Sequence, residues 1–408
     1  MKNHQSFLGF LTLLSIFALC SGCTPVPLKS PGKVAYWANR ADAPFVELAS
    51  TLTGLEVEVL PRTQNWNILL QNPTPPDMIL TDISQEIKKA WAEDLLLDLT
   101  PFKDRLTQRD SYWSGLSYSQ LQNRYPYFLP ATVYLWELIW KTSTLDDLKI
   151  SPPSSLEDLE AAFETIRSRG KIPLAMGTSF GWPALGLLAA LDLRFNGAEA
   201  YDLLINGKRN FDDPSLKPVY ELLAKWRDKG WIDPTSGTHN WPEALQKVRD
   251  GDAVFIFFGS TAYNRLGASE GYRSVSLPRG SQSRYSGELG VIQGWVLSTK
   301  STAPEAALNW ADQYLAQRTP GILTDSFRIS SIRPPKEAVE ESAVKDRQSK
   351  RLAEGVTVSP QLDRMLPAQT SYDANQAMIR FFGPGSQITP QQLAETLGRI
   401  GRARLEKQ

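Results

Sequence analysis

The stretch Pro76-Asp-Met-Ile-Leu-Thr-Asp82, followed by the helically patterned residues 84–97 and by Leu97-Asp-Leu-Thr-Pro101, decides the fold. Pro75 and Pro76 break the chain, and residues 77–81 then form an apolar run of strand length. Upstream, 34–38 is a short apolar run and reads as a first strand. Residues 43–53 place Phe45, Leu48, Ala49 and Leu52 at helical spacing, and Leu55, Val57 and Val59 alternate with Glu56 and Glu58 as in a half-exposed strand. Strands that alternate with helices at this spacing form βαβ units, so the fold class is α/β with mainly parallel sheets.

The pattern continues downstream. Residues 131–140 are β-rich, and a helix is expected over 155–169, with Ser154 and Glu157 as a capping box and Gly170 as its stop. A strand at 172–176, an apolar helix at 184–193 and helices at 216–229 and 243–250 follow, then a buried strand at 253–258. After Gly/Ser-rich turns comes a strand at 291–298. A helix is expected over 303–317, with Thr302 and Glu305 as its capping box. A charged helical run at 335–353 and a last helix at 389–406 close the chain.

The chain has 408 residues, with 44 Lys+Arg against 44 Asp+Glu, and this balance excludes the basic stripe of a nucleic-acid binder. Lys2, the apolar run 7–20 and the small residues Ser21 and Gly22 before Cys23 read as a signal segment, too short to be a membrane span. They resemble a bacterial lipobox, which implies cleavage before Cys23 and its lipidation; ordinary secretion with a free cysteine is the alternative. Residues 24–32 read as a tether. Without residues 1–22 the chain keeps one cysteine and one histidine, His239, so neither a disulfide nor a zinc cluster is available. A calcium site built from carboxylates stays open.

One enzyme motif is present. Gly177-Thr-Ser179-Phe-Gly181 fits the G-x-S-x-G nucleophile elbow between a strand and a helix, with His239 as the only base. Against a hydrolase, His239 lies early in the chain, and Trp182-Pro183 is bulky where the helix should pack close. There is no phosphate loop, and no cofactor is expected. The larger signal is twelve tryptophans. Trp91, Trp226 and Trp310 lie within expected helices and read as core; Trp37, Trp182, Trp241 and Trp295 fall at strand ends or in loops. Ligands of open α/β sheets bind outside the carboxyl ends of strands. An indole covers the flat C–H face of a pyranose, and burying roughly 100 Å² of it is worth about 2.5 kcal/mol.

The ordered elements resemble extracellular solute-binding proteins of family 1, the sugar-binding lipoproteins of bacterial ABC importers. Residues 33–38 look like the family's opening strand, and 76–82 with 90–101 like its PD strand, helix and L-x-L-T-P exit. Similar segments follow at 153–159, 226–234, 251–255, 294–298 and 303–307. Trp140-Lys-Thr stands where the family usually has Tyr-Asn-Lys.

The resemblance implies two α/β lobes, the type II arrangement of periplasmic binding proteins, with a carbohydrate held between them by hinge closure. Lobe one would be 33–130 and 292–330, and lobe two 135–290 and 331–408. It also implies delivery to the permease subunits of an ABC importer, no catalysis, and an exported, lipid-anchored monomer. Matching positions place Trp37, Asn39, Arg40, Asp82, Tyr134, Trp182, Gly259, Tyr263, Trp295, Arg333 and Tyr372 at the ligand. Arg40 and Asp82 are alternatively a structural ion pair, and Arg333 a surface residue. The same fold also serves polyols, glycerol phosphoesters, polyamines and peptides, which stay as alternatives.

Overall fold

The computed structural model describes residues 33–37, 56–60, 66–73, 75–102, 124–266, 271–281, 283, 285, 287–302, 304–305, 307–308, 329–330, 348 and 350–405; for 33–37, 56–60, 66–67 and 329–330 it describes the backbone alone. Cys23, Asn39, Arg40 and Arg333 therefore lie outside the described residues, as do the helix expected at 43–53 and most of 303–317 and 335–353.

Near the amino terminus the βα alternation appears as β1 (Lys33–Trp37), β2 (Glu56–Leu60), α1 (Trp66–Gln71), β3 (Met78–Asp82) and α2 (Gln85–Ala92). Both β2 and β3 run parallel to β1. Ser84 caps α2 by accepting from the Ile87 N–H. The helix stops at Ala92, short of the expected 97, because Asp94 turns left-handed at φ 55°. Leu97 then donates its N–H to the Leu297 carbonyl.

The element that organises the molecule is β4 (Leu129–Lys141), a 13-residue strand with nearly every position buried. At about 3.3 Å per residue it is roughly 40 Å long, enough to run through two sheets. From Leu129 to Leu135 it pairs antiparallel with β8 (Glu288–Leu297). From Trp136 onward it pairs antiparallel with β6 (Ala253–Gly259), and from Glu137 also with β7 (Tyr272–Ser276). Its ladder slips between Pro130 and Thr132. A proline has no N–H for the ladder, so a bulge is where a strand tolerates one.

On its far side β8 pairs antiparallel with β3, and its first residues pair parallel with β10 (Val358–Pro360). A two-residue strand, β9 (Ile329–Ser330), also borders β4. Beyond β6 lies the parallel strand β5 (Ile172–Ala175), giving the order β2-β1-β3-β8-β4-β6-β5. The parallel pairing expected from the alternation holds on both flanks. Every antiparallel ladder involves β4 or β8, the two strands that pass through the middle.

The helices cover this sheet. α3 (Thr142–Leu148) follows β4, and α4 (Leu156–Ser168) buries Leu159, Phe163 and Ile166 on one face. Its cap is Ser155 with Asp158, one residue beyond the expected Ser154 and Glu157. Ser154 instead donates to the same Asp158 carboxylate at 2.5 Å. α5 (Trp182–Ile205) is longer than its apolar core suggested, because it continues past a bend at Gly197 (φ 84°), where a side chain would meet the Tyr285 ring. Further along the chain come α6 (Lys217–Asp228), α7 (Trp241–Asp250), the single turn α8 (Tyr263–Leu266), α9 (Leu362–Met365), α10 (Ala368–Phe381) and α11 (Pro390–Leu405).

Trp226 is fully buried, its ring edge-on to Phe163 at 5.2 Å, as expected of a core indole. Trp91 is only partly buried and stacks on Tyr127 at 4.9 Å. Where β8 begins, the buried Glu288 carboxylate binds Arg194 of α5 at 2.9 Å and Arg351 at 2.5 Å. Removing one member of such a buried network costs about 3–5 kcal/mol, since the others keep an uncompensated charge.

Candidate functional site

Side chains alternate along a strand, so Thr132, Tyr134 and Trp136 of β4 share one face. Across the ladders Thr132 is opposite Gln293, and Gln293 is opposite Asp82. Trp136 is opposite Gly259. A single surface therefore runs from Asp82 at the carboxyl end of β3, over Gln293 and Thr132, to Tyr134, Trp136 and Gly259 at the carboxyl end of β6. It spans the point where β4 changes partners.

The β3 end of this row is polar. Asp82 Oδ2 is 2.5 Å from Arg364 Nη1, so α9 supplies it with an ion-pair partner. Two further carboxyl groups stand beside this guanidinium. Burial pushes Asp363 up to about 6, against the downward pull of Arg364. Burial also raises Glu86, again opposed by Arg364. Farther along α2, Lys88 donates to Asn206 Oδ1 at 2.6 Å, and burial together with Arg124 and Arg404 lowers it to about 8. Arg124 also pairs with Asp202. These contacts hold the β3–α2 region against α5 and α9.

The β6 end is aromatic. Trp182, half-buried at the first turn of α5, meets Trp136 edge-on at 5.8 Å and Phe258 at 5.3 Å. Trp241 stacks on Phe258 at 5.0 Å and carries the Arg265 guanidinium at 4.8 Å. Gly259 is required by space: a Cβ there would lie 2.6 Å from the Tyr134 ring.

The loop 176–181 leading to Trp182 is pinned by its backbone. Thr178 N–H donates to the Ser236 carbonyl at 2.9 Å, Ser179 N–H to the His239 carbonyl at 3.0 Å, and Gly181 N–H to the Thr178 carbonyl at 2.8 Å. Gly181 adopts φ 76°, where other residues are strained, and lies against the Asn375 backbone. This rigid loop holds Phe180 63% exposed.

The expected residues divide in three. Asp82, Tyr134, Trp182 and Gly259 come together on or beside the row, and Trp37 ends β1, where its backbone pairs with Leu60. Tyr263 is a core residue: it is 1% exposed, and its hydroxyl donates to Ser274, which donates to Glu137. Trp295, also 1% exposed, lies opposite Leu80 and Leu129, two residues beyond Gln293 and so on the same face of β8 as the row, where it is fully buried. Tyr372 is 60% exposed but lines a separate groove of about 550 Å³ between α10 and α11, with Gln376, Arg380 and Arg399.

Thr132, Trp136, Gln293, Arg364 and Phe180 were missed. Thr132 and Trp136 stand two residues either side of Tyr134, so strand alternation alone marks them. Nothing in the local sequence marks Arg364.

His239 Nδ1 is 2.8 Å from the Thr235 carbonyl, and no hydrogen bond joins the Ser179 and His239 side chains among the described residues. Nor does any cluster of metal-ligating side chains occur among the described residues, and no described helix is long and apolar enough to cross a membrane.

A long strand threading two sheets, with a mixed polar and aromatic surface at the crossing, defines a two-lobe α/β solute-binding fold. Solved structures agree with it. The bacterial solute receptor AcbH, reported to prefer β-D-galactopyranose exclusively, superposes with a TM-score of 0.75 at 18% identity, covering 93% of this chain and 98% of that one. A chitin oligosaccharide binding protein gives 0.74 at 18% identity, covering 92% and 99%. The chain belongs to the bacterial extracellular solute-binding protein family, whose description it matches over residues 54–316.

Among curated relatives, an ABC transporter extracellular-binding protein of Pyrococcus horikoshii is 26% identical over 58% of this chain and 53% of its own length. The alpha-glucosides-binding periplasmic protein AglE of Rhizobium meliloti is 28% identical over 40% of this chain and 38% of its own. The chain thus spans about half the length, or less, of these curated relatives.

Proposed function

We propose that this protein is the substrate-binding component of an ABC importer, that it takes a neutral carbohydrate between its two lobes, and that it has no catalytic role. The lobes are 33–130 with 292–330 and 135–290 with 331–408. The observation that carries the reading is the row on β4, with hydrogen-bonding groups at one end and aromatic rings at the other. A sugar needs both, because its hydroxyl rim seeks paired polar groups and its C–H face seeks a flat apolar surface. Trp182, Tyr134 and Phe180 supply rings; Asp82, Gln293 and Thr132 supply the polar partners. Trp37, Asn39, Arg40 and Arg333 complete the site from lobe one and the return segment.

Contacts from both lobes favour the closed state, and a ligand shifts the equilibrium by its differential affinity for that state. The permease then recognises the closed form, and a lipid on Cys23 keeps the exported protein beside it. Two relatives name sugars and a third structure, RafE, is described in complex with raffinose, which supports a carbohydrate over other solutes.

Calorimetry and intrinsic fluorescence with maltose, trehalose, galactose, raffinose, chitobiose, spermidine and glycerol phosphate test the reading. Micromolar binding of at least one sugar, with the sugar recovered unchanged, is expected. Binding confined to spermidine or glycerol phosphate contradicts it.

A further inference from the structure

Trp136 stands where β4 leaves β8 and takes up β6. Its indole is 2% exposed and held on several sides: by Phe257 at 5.5 Å, Phe258 at 5.3 Å and Trp182 at 5.8 Å. On α5, Gly186 comes so close that a Cβ there would lie 2.6 Å from the ring. A ring packed in this way is fixed in direction.

Yet its Nε1 is buried with no hydrogen-bond partner among the described residues. Folded proteins leave few buried N–H groups unpaired, because each forfeits its hydration without compensation. The surroundings of this N–H show what can reach it. Its cross-strand neighbour Gly259 has no side chain, and the position of the missing Cβ is 3.7 Å from Nε1. Over that glycine lies the edge of Tyr134, a half-buried ring on the outer part of the row. Thr178 Oγ1 and Asn375 Oδ1 are likewise buried without partners among the described residues.

We propose that Trp136 is itself a ligand-binding residue: its Nε1 donates to a hydroxyl oxygen of the bound solute over Gly259, as the Tyr134 ring moves onto the ligand. The inference rests on the carbohydrate-binding reading above and narrows it. An indole N–H is a donor only, so its partner must present an oxygen lone pair. A polyhydroxylated ligand fits. An ammonium at that point would face a second donor, which disfavours a polyamine.

The test is a thermodynamic cycle. The sugar of the panel bound best by the wild type, and each of its monodeoxy analogues, are titrated by calorimetry into the wild type and into Trp136→Phe, which keeps an apolar ring and removes the donor. One analogue is expected to bind the wild type about tenfold more weakly than the parent, the size of one net hydrogen bond. Trp136→Phe should lose the same factor for the parent and show no further loss for that analogue. Equal losses across the whole series, or parent affinity within twofold of wild type, overturn the inference. Should Trp136→Phe fail to fold, the wild type is read directly by NMR: the Trp136 indole N–H resonance should shift on binding the parent sugar and not on binding that analogue, and equal shifts with both overturn the inference. A wild type that binds no sugar of the panel overturns the underlying reading, and the inference with it.

Discussion

The two halves of β4 do different work on one face. Toward β8 and β3 the face carries Thr132, Gln293 and Asp82, with Arg364 reaching in from α9. Toward β6 it carries Tyr134 and Trp136, backed by Trp182, Phe258 and Trp241. The polar half has its charge balanced internally, since Asp82 meets Arg364 at 2.5 Å. The aromatic half has ring surface and fixed donors but no exposed charge on β4 itself. A charged ligand would need an uncompensated partner on one side, and among the described residues the row presents none. A polyhydroxylated ligand uses both halves, its rim on one and its ring face on the other. The contrast between the halves is therefore the physical argument for a neutral sugar.

The sharpest way to break this comparison is to remove the aromatic half. Trp182→Ala takes away a half-buried indole that also steadies Trp136, and affinity for the bound sugar should fall about 100-fold, near 3 kcal/mol. Calorimetry reads it, and a loss below threefold would move the ligand off this half. On the polar half, Asp82→Asn removes a charge-assisted acceptor and one negative charge beside Arg364. We expect a fall of about tenfold in affinity, with the sign of any selectivity reversed in favour of acidic sugars.

Next in size is an effect on stability alone. Asp363 is held at about 6 by burial, above the 3.8 of an unperturbed aspartate. The folded state thus keeps a proton that the unfolded chain has already released. Stability falls as pH rises from about 4 to about 6 and stays at its lower value above that range. Asp363→Asn should therefore stabilise the protein at pH 7.5 by about 3 kcal/mol, and the gain should vanish near pH 4. Chemical denaturation at both pH values checks it. Smallest of all, sugar affinity should change less than twofold between 50 and 500 mM salt, because neither half presents an uncompensated charge. A steep salt dependence in the same titration would point to an anionic or cationic ligand.

Much of this was legible in the sequence. Apolar runs and caps located β3, β6, α4, α6, α7 and α11 within a few residues, because short buried strands and capped helices are local features. Asp82, Tyr134, Trp182 and Gly259, expected at strand ends, lie on or beside one row of the sheet. The burial of Tyr263 was not legible, because its partner, Ser274, lies on a strand eleven residues away that no local pattern ties to it. Arg364 was missed for a related reason: its role depends on α9 returning to the end of β3, a contact spanning 282 residues (364 minus 82). Trp136 lay two residues from a recognised position on the same face of β4, and strand alternation was the one signal for it.

The central claim is that one sugar spans both halves of the β4 face. A crystal structure of the protein with its best-binding sugar tests it most directly. The account predicts the sugar ring against Trp182 and Tyr134, with hydroxyls bonded to Asp82 or Gln293 at one end and to Trp136 Nε1 at the other. A sugar found in the groove between α10 and α11 beside Tyr372, with the β4 face unchanged, would contradict it.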